Sequence, residues 1–198
     1  MSAFSKQDSR NVIGRFTDSE TFWISFTETV PLSPRAFLGT YLKEAVRLFG
    51  LKRLDLTDNR LAAYAKRSDV SDIDRRKILT ALLPLCKQLQ DAELLITLFG
   101  GDNHATRAVH LLRADTVPCH YLLFREMQHA EGDVALHERV CRELLRRGTT
   151  RDFNHAALLC SYFDLKGINA TFALRLQPYQ LSRFDGSYEN FRNLICPK

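Results

Sequence analysis

Six histidines fall between residues 104 and 155: His104, His110, His120, His129, His137 and His155. Imidazole binds transition metals and exchanges protons near neutral pH, so this clustering raises metal chemistry first. The spacings do not sustain it. No HExxH occurs, and Glu126 with His129 gives a single ExxH. A carboxylate-bridged two-metal bundle draws on two such pairs and further carboxylates. His137 falls on the apolar side of its segment, where a core histidine is the commoner outcome. The pattern therefore points to no metal site; were there one, His129, Glu126 and His120 would be the residues to test first.

Thiol and phosphate chemistry fare no better. Cys86, Cys119, Cys141, Cys160 and Cys196 are spaced by 33, 22, 19 and 36 residues, which fits no CxxC-type zinc pattern. Such a scattered, odd set with no leader peptide in front of it reads as reduced thiols in a cytosol. Cys86, Cys141 and Cys160 lie in apolar helical surroundings and read as small core residues. Cys119 and His120 are chain neighbours, which does not make a nucleophile–base pair. GxSxG, GxxxxGK[ST] and GxGxxG are all missing from the sequence. Gly100-Gly101-Asp102 is too short to cradle a phosphate. These observations lean against an enzyme, and no cofactor is expected.

What remains is cationic. ERVCRELLRRGTTR, residues 138–151, carries five arginines. At about 100° per residue, Val134, Val140, Cys141, Leu144 and Leu145 share one helical face. Arg139, Arg142 and Arg146 take the opposite one, Arg147 the border, and Arg151 lies beyond Gly148. Glu138 precedes Arg142 by four residues and Glu143 precedes Arg147 by four, a spacing that pairs charges along a helix. Arg146 is left without a carboxylate at that spacing. Phosphate-gripping surfaces usually keep their cations unpaired, so a solvated, self-paired face is the first reading, a protein interface the second and a phosphate contact the third.

A second basic stretch, LAAYAKRSDVSDIDRRKIL (61–79), resembles a helix-turn-helix in outline. Ala65, Val70 and Ile78 fall where that motif takes small or apolar residues. Asp69 stands at its usual glycine position, however, and Arg75 where an apolar residue should pack. Asp69, Asp72 and Asp74 would bring the wrong sign to a DNA backbone. Arg75, Arg76 and Lys77 are the contacts this alternative would use. A third feature is the C-terminal run PYQLSRFDGSYENFRNLI, where Tyr179, Phe184 and Tyr188 alternate with arginines. Aromatics and arginine are enriched at interface hot spots; equally, the run can pack on its own domain.

These groups need elements to hold them. Residues 1–11 read as a loose polar arm. VIGRF (12–16) and TFWISFTE (21–28), the second alternating with period two, predict a β-hairpin. Ser33-Pro34 starts a helix in which Leu38, Tyr41, Leu42, Ala45, Val46 and Phe49 recur at helical steps, up to Gly50. A short helix follows Thr57 or Asp58. Ser71 caps a longer one, with Asp74 completing an approximate capping box and Pro84 kinking or restarting it. LLITLF (94–99) suits helix or strand, and Gly100-Gly101 breaks it. Further helices are expected over 103–115, from Pro118, from Asp133 to Gly148, and over about 151–165. Ile168, Ala170, Phe172, Leu174 and Leu176 alternate as a strand, and the final twenty residues read as an irregular packed tail.

The fold expected is α+β and predominantly helical: six to eight helices, with a small sheet joining the N-terminal hairpin to the C-terminal strand. At 198 residues, 45% apolar and 26% charged, the chain suits one globular domain with a polar arm. No apolar run of about 18 residues is present, so no membrane insertion is expected. Net charge is +5, spread along the chain rather than gathered in a tail. Together these features predict a cytoplasmic, non-enzymatic interaction module, an adaptor or assembly factor. It would bind another protein or itself through Arg139, Arg142, Arg146, Arg147, Arg151, Tyr179, Phe184 and Tyr188. A nucleic-acid-binding regulator is the alternative.

Overall fold

The structure, a computed structural model, describes residues 65–66, 68, 70–165, 168 and 184–197. These contain seven α-helices, are 75% helical and hold no strand. The expected α+β class is thus corrected to all-helical for the described residues. The hairpin segments and the alternating run beyond Ile168 lie outside them, and Ile168 itself sits in a bend. The physical reason is visible in the spacing. Apolar residues in the described chain recur every three or four positions, so each element buries a stripe against another helix and calls for no sheet.

The chain divides into two compact units, Met1–Gly100 and Gly101–Lys198. In the first, α1 (Asp72–Leu82) begins at Ser71, whose Oγ accepts from the Asp74 N–H at 3.3 Å. The Ser71 hydroxyl in turn donates to the Asp74 carboxylate at 2.5 Å, the capping pair the sequence suggested. Pro84 ends this run in a 3-10 turn, Leu83–Leu85. LLITLF forms the second half of α2 (Leu89–Phe99), because Ala92, Leu95, Ile96 and Phe99 bury one face. α1 and α2 pack on each other.

The second unit carries α3 (His104–Ala114), α4 (Val117–His129), α5 (Val134–Arg147), α6 (Thr150–Tyr162) and α7 (Tyr188–Ile195). α3 packs on α4 and α5, α5 on α6, α6 on α7, and α7 back on α4. α4 is central: nine of its thirteen residues are buried, from Pro118 to Met127. α7 corrects the reading of an irregular tail. Ser187 caps it, and Phe191, Leu194 and Ile195 bury its inner face. Around Phe124 the rings of Tyr162, Phe184 and Phe191 gather at 5.1, 5.2 and 5.8 Å between centroids.

Two corners of this unit matter most. α3 turns into α4 through Asp115, held in the left-handed region at φ 52°, and Thr116, whose hydroxyl oxygen caps α4. α5 turns into α6 through Gly148 at φ 77° and Thr149, which caps α6 through the Asp152 N–H.

Candidate functional site

The arginine face of α5 is built as its periodicity requires. Leu136, His137, Val140, Cys141 and Leu144 are buried. Val134, expected on that face, is 54% exposed because it occupies the first helical position, ahead of the packed turns. On the outer face Arg142 meets Glu138 at 3.3 Å. Arg146 is not left over: Glu143 takes it at three residues' separation through two hydrogen bonds, 2.8 Å to Nε and 2.7 Å to Nη2. The same carboxylate lies 3.7 Å from Arg147 Nε. Glu143 is held below the usual carboxylate range, first by the Arg146 hydrogen bonds. Arg139 stands exposed beside these pairs.

Arg151 belongs elsewhere. It reaches back to the other corner, and its Nη2 donates to Asp115 Oδ1 at 2.6 Å and to the Asp115 carbonyl at 3.1 Å. There it meets a buried polar knot. His120, one turn into α4, sets Nε2 3.1 Å from Asp115 Oδ1 and 3.7 Å from Asp152 Oδ1. Its Nδ1 lies 2.8 Å from His155 Nδ1. Asp152 is fully buried, and its Oδ2 accepts from the Thr149 hydroxyl at 2.6 Å. Three atoms here have no hydrogen-bond partner: Asp152 Oδ1, His155 Nε2 and Arg151 Nε.

The electrostatics follow from this placement. Burial, the largest influence, pushes the His120 imidazole below its ordinary range against the opposing bond to Asp115. Burial pushes His155 well below it, helped by His120 and Arg151. Partial burial would raise the Asp115 carboxyl, but the His120 hydrogen bond and the Arg151 charge outweigh it and hold it low. The placement thus favours the neutral form of both rings and the carboxylate form of Asp115. Beside them Cys119 is buried, and burial pushes its thiol up to about 11, which disfavours the thiolate.

The residues named first for metal, Glu126, His129 and His120, do not come together as a ligand set. Glu126 bonds His104 at 2.6 Å, and His129 stacks on His104 at 5.5 Å. Among the described residues, the grouping that could hold an ion is Asp115, His120 and Asp152. Asp115 and Asp152 were missed in the sequence. A signal was present, since Asp152 and His155 share the three-residue spacing of Glu126 and His129. His137 is a core histidine as expected, with Nε2 2.9 Å from the Met127 carbonyl and its ring on Phe163.

The other predicted residues are placed as follows. Arg75 turns towards the Leu98 carbonyl at 3.5 Å and is half-buried, whereas Arg76 and Lys77 are exposed, Lys77 pairing with Asp74 at 3.3 Å. Phe184 stands edge-on to Phe124, and Tyr188 edge-on to Tyr121 at 5.3 Å, so both are half-buried in their own unit. Tyr179 lies outside the described residues. None of the described helices is long and apolar enough to cross a membrane. No protein-family model, curated protein or solved structure matches the chain.

Proposed function

We propose that the protein is a non-enzymatic interaction module of the cytosol, an adaptor or assembly factor, whose contact surface is the outer face of α5. One observation carries this reading. Arg146 is 73% exposed, yet Glu143 holds its guanidinium by two hydrogen bonds. A long cationic side chain fixed in place loses little further freedom on binding, and arginine is enriched at protein interfaces. Arg142, held by Glu138, repeats the device one turn earlier. The alternating signs along the face favour a partner surface of mixed charge rather than a row of phosphates. Phe184 and Tyr188 serve as packing within their own unit, and Arg151 is committed to Asp115. The free thiols of all five cysteines fit a reducing compartment.

The test compares affinity capture from source-cell extract by the wild-type chain and by Arg139→Ala/Arg142→Ala/Arg146→Ala. A protein retained by the wild type and lost from the triple variant, with thermal unfolding unchanged, supports the reading. Identical captured sets sink it. Scattering of the purified chain with concentration shows whether the partner is a second copy.

A further inference from the structure

We propose that Asp115, His120 and Asp152 form a binding site for a divalent transition-metal ion, where the α3–α4 and α5–α6 corners meet. This inference is independent of the α5 surface. The three donors are His120 Nε2, Asp115 Oδ1 and Asp152 Oδ1. One donor atom from each residue lies within 4.8 Å of the other two. From His120 Nε2 the two carboxylate oxygens are 3.1 and 3.7 Å away. Ligands bound at about 2.0–2.1 Å around a tetrahedral ion stand about 3.4 Å apart, so small side-chain shifts close the set.

A self-contained salt cluster does not account for the knot equally well. His120 Nε2 carries at most one proton, and Asp115 is the nearer acceptor. Asp152 Oδ1 is then left without a donor inside a residue that is 0% exposed. Buried carboxylate oxygens ordinarily find a partner, and a cation bound between Oδ1 and the other two donors would supply one. The knot holds two carboxyl groups and one guanidinium, which pairs with Asp115 alone, so a cation improves the local charge balance.

The surroundings match what metal sites require. A ligating histidine usually hands its other N–H to an acceptor, which fixes its tautomer. With Nε2 on the ion, His120 Nδ1 is left facing His155 Nδ1, 2.8 Å away. Asp152 is steadied by the Thr149 hydroxyl, and Asp115 by Arg151. Asp115 is 45% exposed at its side chain, which opens a path for the ion and a place for water to complete its shell. An imidazole with two carboxylates suits zinc, iron or manganese better than the wholly oxygen-seeking magnesium or calcium.

Zinc serves as the probe, added calorimetrically to the chelator-treated full chain. Asp115→Asn is the deciding variant. Asparagine tolerates the left-handed backbone at φ 52° and removes the charge from an exposed corner without touching the core. Asp152→Asn is the second variant, and His104→Gln/His129→Gln is the control for the other histidine cluster. The expected result is one zinc per wild-type chain, affinity reduced by at least about tenfold in both aspartate variants, and no change in the control. No uptake by the wild type overturns the site. So does uptake that Asp115→Asn leaves unchanged, or that the His104/His129 control abolishes.

Discussion

Thr149 shows how much one side chain can be asked to do. Its oxygen accepts from the Asp152 N–H at 3.1 Å while its hydroxyl donates to Asp152 Oδ2 at 2.6 Å. Replacing it with alanine removes the cap of α6 and leaves the buried Asp152 with neither oxygen bonded. Thr149→Ala should lower unfolding stability by about 1–2 kcal/mol, read from denaturant midpoints; an unchanged midpoint would show that the corner is not held this way. Cysteine reactivity gives a second check at this scale. Cys86, Cys119 and Cys141 are buried, and Cys196 is exposed. The Cys141 thiol, 3.9 Å from Cys160 Sγ, is pushed up by that contact and by burial. Timed alkylation with mass mapping should label Cys196 first and these three only after unfolding. Rapid native labelling of Cys141 would contradict the packing of α5 on α6. The role of His137 as a core residue was legible because it follows from helical phase alone. The knot was not, because Asp115 and Asp152 lie 37 positions apart in sequence and meet only through two corners.

At the scale of elements, α5 was the most readable part of the chain. Asp133 and Gly148 bracket it, and its apolar and charged residues separate cleanly by phase. Its ends and its outer face make opposite predictions. Gly148 adopts φ 77° with open space around its α-carbon, so Gly148→Ala meets no clash but strains the backbone. It should cost about 1 kcal/mol, measured by chemical unfolding. Arg146→Ala should leave the melting temperature unaltered, because exposed ion pairs contribute little to stability and Glu143 keeps Arg147. A large loss with Arg146→Ala, or none with Gly148→Ala, would reverse that assignment. The harder elements were α2 and α7. LLITLF alone fits either period, and only the preceding LQDAE carries it into a helix. α7 was hidden because its aromatics were read as one run with residues upstream of Ser187, when the cap at Ser187 starts a new phase.

For the whole molecule, the balance of charge decides between partners. The chain carries a net +5, which by itself favours polyanions. The described surface works against that tendency. Glu138 answers Arg142, Glu143 answers Arg146 and Arg147, Asp115 answers Arg151, and Asp74 answers Lys77. Phosphate binding draws its affinity from cations that release counterions, and these have acids in that place. The most direct measurement is therefore binding of a labelled random duplex and a random single strand to the full chain, at low and near-physiological salt. Weak signals that stay flat between the two conditions are predicted. Tight binding that falls steeply with salt, and is abolished by Arg142→Gln/Arg146→Gln, would contradict the account.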